Sequence, residues 1–172
     1  MEENLLDFAL KFEAESVKLY LSLAARTTNF LGKRLFYALA KQEVEHAESF
    51  DEIYREIAVK STAVKLALPS SSADIEQDIR QFFVGAGGMD FRSDAGNISA
   101  YELALQTEEK GYASYKKFLV SAEKPEEKEF LQSLMDQERK HMEAIRNVLA
   151  YITGTGDWFE SEESKVWNWM NQ

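Results

Sequence analysis

Four stretches of this chain carry apolar residues at alternating three- and four-residue spacing, and each stripe is broken near its middle by a glutamate. The second stripe reads Phe36, Leu39, Glu43, His46, Phe50, Ile53 and Ile57, and the fourth reads Leu131, Leu134, Glu138, His141, Ile145, Val148 and Ile152. The first reads Leu6, Ala9, Glu13, Ser16, Tyr20 and Leu23, and the third reads Tyr101, Ala104, Glu108, Gly111, Tyr115 and Phe118. Such alternation is the seam of a helix packed against other helices. It predicts helices near 4–27, 31–59, 100–120 and 126–152. The turns inside each pair are short, which makes antiparallel neighbours. Every stripe position in the first pair recurs 95 residues later in the second, Glu13 as Glu108, Glu43 as Glu138 and His46 as His141. The chain therefore reads as two copies of one helical hairpin.

Between the hairpins, 61–98 holds Leu68-Pro69-Ser70-Ser71-Ser72, a short helix expected near 73–84, and Gly85-Ala86-Gly87-Gly88. A segment of that length can run the full length of a bundle at up to roughly 3.3 Å per extended residue, so it reads as a crossover. Ser99 followed by Glu102 predicts a capping box at the start of the third helix. After residue 152, a tail with Trp158, Trp167 and Trp169 is expected to form a short helical cover over one bundle end or a dimer interface. The expectation is all-α: a four-helix bundle of two hairpins, one domain over 1–172.

Charge and composition remove several function classes. A net charge of −10 leaves no basic surface for nucleic acid. The chain has no Cys, which excludes disulfides, thiolate nucleophiles and Cys-ligated zinc or iron–sulfur centres. Apolar runs are too short to span a membrane. The Met1-Glu2-Glu3-Asn4 start carries no basic segment of the signal-peptide kind, so a cytoplasmic location is expected.

The polar members of the stripes carry the chemistry. An ionised carboxylate in a bundle core without a partner costs several kcal/mol or more. Four together repel each other and raise each other's pKa. No Lys or Arg lies on any stripe to neutralise them, which leaves a bound metal. The axial heights agree, because each Glu lies about 15 residues, roughly 22 Å of helix, from the middle of its turn. Glu-x-x-His places carboxylate and imidazole one turn apart on the same face. Both His residues of the chain have that spacing. With 30 acidic residues in 172, chance would give this only ~3% of the time. Four carboxylates balance two divalent ions, and one imidazole per metal suits iron or manganese better than structural zinc. Glu15 and Glu109 lie close enough in sequence to compete with Glu13 and Glu108, but both are off the stripe. Glu45, Glu48 and Glu143 read as a solvated face. Tyr20 and Tyr115, two turns from the ligands, either fill the core or hydrogen-bond a Glu of a neighbouring helix. Ser16 and Gly111 permit close helix packing or leave room beside the metals.

One Glu on each of two helices with Glu-x-x-His on each of the other two resembles the ferritin-like di-iron carboxylate proteins. Ala9-Leu10-Lys11-Phe12-Glu13 through Tyr20, Ala104-Leu105-Gln106-Thr107-Glu108 through Tyr115, Glu43-Val44-Glu45-His46 and Glu138-Arg139-Lys140-His141 are similar to the rubrerythrin branch. The resemblance implies a ferritin-like bundle holding two iron ions, with manganese or zinc as substitutes, on Glu13, Glu43, His46, Glu108, Glu138 and His141. It implies an oxidoreductase acting on H2O2 or O2, as peroxidase, oxidase or ferroxidase, with iron storage as the alternative. A homodimer is expected. Rubrerythrins join such a bundle to a Cys-rich rubredoxin module; here the electron donor would be a separate, rubredoxin-type protein. That branch also carries a further Glu one turn after the third-helix ligand, where this chain has Gly111, so the site resembles the more symmetric bacterioferritin pattern.

Overall fold

The computed structural model describes residues 5–59, 74–87, 89, 91–93 and 98–154, with the side chains of 54 and 56–59 left aside. The Leu68 to Ser72 stretch, the side chain of Ile57 and the tryptophan-bearing tail lie outside the described residues. Five α-helices follow in order: α1 (Leu5–Arg26), α2 (Phe30–Val59), α3 (Ile75–Gly85), α4 (Ile98–Ser121) and α5 (Pro125–Thr153). A single 3-10 turn, Phe91–Ser93, lies between α3 and α4. Among the described residues there is no strand, and no helix is long and apolar enough to cross a membrane. The fold is a ferritin-like helical bundle.

Each hairpin closes on local chemistry. Asn29 caps α2: its side-chain oxygen accepts from the Gly32 amide at 3.0 Å, satisfying one of the amides that a helix start leaves unpaired. The Asn29 amide group also donates to the Phe91 carbonyl at 2.7 Å, which ties the crossover to the first turn. The equivalent position in the second hairpin is Lys124, which makes no side-chain cap; Pro125 opens α5 instead, where its missing N–H costs nothing. α5 stops at Gly154, whose φ of 65° is left-handed. α4 begins at Ile98, so Ser99 stands inside the first turn rather than ahead of it. The helix starts two residues earlier than the periodicity alone indicates.

The apolar core falls into two parts. One gathers Tyr20, Leu23, Leu31, Leu35, Phe36, Leu39, Tyr101, Ile145, Val148 and Ile152, with Ile75 and Ile79 of α3 and Phe91 packed on it. The other gathers Leu6, Ala9, Phe50, Ile53, Tyr115, Phe130, Leu131, Leu134 and Met135. Their membership fixes the directions, since α2 and α4 run parallel while α1 and α5 oppose them. Each Leu, Ile or Phe buried this way contributes ~1.5–3 kcal/mol relative to exposure. That is the anchorage for what lies between the two clusters. α3, N-capped by the Asp74 side chain, is held against α2 by an ion pair between Arg34 and Asp78.

Candidate metal centre

Between the two clusters sit Glu13, Glu43, His46, Glu108, Glu138 and His141, all at most 5% exposed. Glu43 is central. One of its oxygens (Oε2) is 3.0 Å from His46 Nδ1, and the other (Oε1) is 3.2 Å from His141 Nδ1. His141 Nδ1 is also 3.2 Å from Glu108 Oε2, and His46 Nδ1 is 3.8 Å from Glu13 Oε1. The two imidazoles stack with centroids 5.7 Å apart. Glu13, Glu43 and His46 present ligand atoms within 4.8 Å of one another, and so do Glu43, Glu108 and His141. Glu43 belongs to both sets. Glu138 joins neither set, although it is fully buried and feels the charge of Glu108.

The tyrosines cross between hairpins. The Tyr115 hydroxyl donates to Glu13 Oε1 at 2.8 Å, and the Tyr20 hydroxyl donates to Glu108 Oε1. The two bonds map onto each other through the 95-residue repeat. Glu15 and Glu109 are exposed, and Glu109 accepts from Arg146 at 3.2 Å. Glu48 is exposed, whereas Glu45 and Glu143 are half-buried and Glu45 pairs with Lys41.

The electrostatics are those of a cluster short of positive charge. Burial raises Glu13 to about 8, helped by the neighbouring Glu43. Burial, then Glu108, push Glu138 well above the usual carboxylate range. Burial would raise Glu43 too, but His141 and hydrogen bonds from Glu13 and both imidazoles outweigh it and hold Glu43 well below its ordinary value. His46 works against burial and is raised to about 9 by Glu13 and Glu43; His141 is raised likewise by Glu43 and Glu108. Protons therefore stand in for cations here. Glu13 Oε2 and Glu138 Oε2 are both buried without a hydrogen-bond partner. Two orphaned carboxylate oxygens beside an ionised, doubly facing Glu43 fit a pair of divalent ions, with hard oxygen donors in excess of nitrogen.

The model of the rubrerythrin family matches residues 4–149. The chain belongs to the rubrerythrin family. Searches of curated proteins and of solved structures returned no significant match. The rubrerythrin match spans both hairpins and the crossover, so all six buried polar residues fall within it.

At Gly111 the helices of this rubrerythrin-family chain leave no room for a side chain. A Cβ there would lie 2.7 Å from Phe12 Cε1, 2.9 Å from Phe12 Cζ and 3.0 Å from Glu138 Cδ. The ring of Phe12 occupies the space that a side chain at 111 would need. One polar contact escaped the stripe reading: Gln42 Oε1 lies 2.7 Å from His141 Nε2, reaching from α2 to α5. The signal was available, because Gln42 recurs as Gln137 one repeat on, so both hairpins read Gln-Glu-x-x-His.

Proposed function

We propose that this chain binds two metal ions, iron by preference, and uses them for redox chemistry with H2O2 or O2, as a rubrerythrin-like peroxidase, oxidase or ferroxidase. The observation that carries the reading is Glu43, whose two oxygens face two different histidines between two apolar clusters. Glu13, Glu43 and His46 would hold one ion, and Glu43, Glu108 and His141 the other. Glu138, with its free buried oxygen, is the fourth carboxylate within reach of the pair.

A bound iron pair supplies the electrons for reducing peroxide or dioxygen. The chain's own residues set the conditions. Glu43 stays ionised and so is ready to bridge. Tyr20 and Tyr115 orient Glu108 and Glu13 by hydrogen bonds from the opposite hairpin, and protonated Glu13 and Glu138 release their protons when cations arrive. The apolar clusters on either side keep bulk water from the charges. With no cysteine in these 172 residues, electrons must come from a donor outside them, and a rubredoxin-type protein suits that role. We expect a dimer rather than a closed storage shell, which light scattering decides.

The test is anaerobic loading with Fe(II), followed by rapid mixing with H2O2 or O2. Two irons per chain and oxidation faster than that of free Fe(II) are expected. Failure to bind about two irons, or oxidation at the free-iron rate, would sink the proposal.

A further inference from the structure

The two imidazoles are alike in sequence but are not held alike. His141 is gripped on both nitrogens: Nδ1 faces Glu43 and Glu108 at 3.2 Å each, and Nε2 is 2.7 Å from Gln42 Oε1. An amide oxygen only accepts, so this contact makes Nε2 the nitrogen that carries hydrogen. A neutral imidazole fixed that way turns its lone pair at Nδ1 toward the carboxylates. Outer partners of this kind set ring orientation and tautomer at metal sites. Gln42 is itself buried, and its side chain is fixed between α2 and α5. His46 faces Glu43 at 3.0 Å through Nδ1, but among the described residues no hydrogen bond joins it to Gln137. Gln137 stands at the repeat-equivalent position and is half-buried. Glu108 and Glu13 each accept from a tyrosine, so the outer bonds to these two carboxylates are matched. The outer grip on the two imidazoles is not.

We propose that Gln42 is a positioning residue that locks His141 with Nδ1 toward the carboxylates, so that the Glu43–Glu108–His141 half is the tighter metal position and fills first. This rests on the two-metal reading above. It goes further by making the two positions unequal in a chain whose repeat makes them formally equivalent.

The experiment titrates the full metal-free chain anaerobically with Co(II), read by its visible absorption. The wild-type chain is expected to take up two ions in two resolved steps. Gln42→Leu should weaken the tighter step ~10- to 100-fold, the usual effect of losing an outer partner. Gln137→Leu should leave that step in place. Gln42→Glu, whose carboxylate still accepts from Nε2–H, should restore it to within a few-fold of wild type. A second readout is nitrogen NMR of the Zn(II)-loaded chain, where a slowly exchanging Nε2–H on His141 is expected in the wild type and in Gln42→Glu. If the wild-type chain binds no Co(II), the two-metal reading fails and this proposal with it. If two ions bind but Gln42→Leu keeps the tight step, or Gln137→Leu weakens it equally, Gln42 is not a positioning residue while the two-metal reading stands. Should Gln42→Leu fail to fold, absence of the His141 Nε2–H signal in the zinc-loaded wild type overturns the proposal on its own.

Discussion

Adding one methyl group at Gly111 tests whether the Phe12 ring and the Glu138 carboxyl are as tightly fixed as the structure has them. The new Cβ would meet Phe12 Cε1 at 2.7 Å and Glu138 Cδ at 3.0 Å, whereas carbon atoms pack comfortably at about 3.5–4.0 Å. Something must move by several tenths of an ångström. The ring is hemmed in, stacked on Phe8 with centroids 5.9 Å apart and meeting Tyr115 edge-on at 6.2 Å. Overpacking of this kind costs ~1–3 kcal/mol. Against it stands the helix-propensity gain of Gly→Ala, at most ~1 kcal/mol. The metal-free Gly111→Ala chain is therefore expected to lose ~0–2 kcal/mol in urea melts, with m unchanged. Gly85→Ala is the control, since a Cβ there meets nothing within 4 Å, and it should be neutral or stabilising. Two-metal loading should suffer more than stability does, because the displaced group is Glu138. Combining Gly111→Ala with Phe12→Leu should recover part of both losses. If Gly111→Ala matches Gly85→Ala in stability and binds metal normally, the ring and carboxyl are not fixed and the reasoning fails.

Three more outcomes follow from the same geometry. Glu43→Ala removes the group facing both imidazoles, so it should abolish uptake at both metal positions and cost the metal-free protein ~3–5 kcal/mol; normal metal stoichiometry by elemental analysis would contradict this. Metal-free stability should fall as pH rises. The folded-state values of Glu13 (about 8) and His46 (about 9) lie above their ordinary 4.5 and 6.5, so folding takes up a proton at each. Each proton's contribution is complete below the ordinary value, lost through the raised one, and worth about 1.4 kcal/mol per pH unit between them. Glu43, held low, works in the opposite sense at acid pH, and a stability profile flat between pH 6.5 and 9 would refute the assignment. Gly32→Ala should destabilise strongly, because a Cβ there collides with the Tyr101 hydroxyl; a thermal melt matching wild type would show that the hydroxyl moves aside freely.

The stripes made the bundle legible because core-facing positions repeat with the helix, and six polar residues on them could only be noticed against that pattern. Glu13 and Glu108, rather than Glu15 and Glu109, are the buried members, as the stripe requires. Gln42 was harder to see. It stands one residue before Glu43, about 100° around the helix, where a glutamine looks like an ordinary flank until a neighbouring helix meets it. Phe12 lies off the stripe as well. Its pairing with Gly111 is a contact between α1 and α4, and no spacing within one helix encodes it.

The two crossed tyrosine bonds have a consequence for descent. Tyr20 serves Glu108 while its repeat partner Tyr115 serves Glu13, so each hairpin completes the other and neither completes itself. Such reciprocity is what a two-fold axis between identical subunits imposes. A pair of separate, identical hairpins could close the same buried cluster by symmetry, with every outer bond already satisfied. The crossover would then be the covalent seam of a former dimer. One chain, unlike two identical copies, can differ between its halves, as it does at Phe12 against Thr107 and at Gly111 against Ser16.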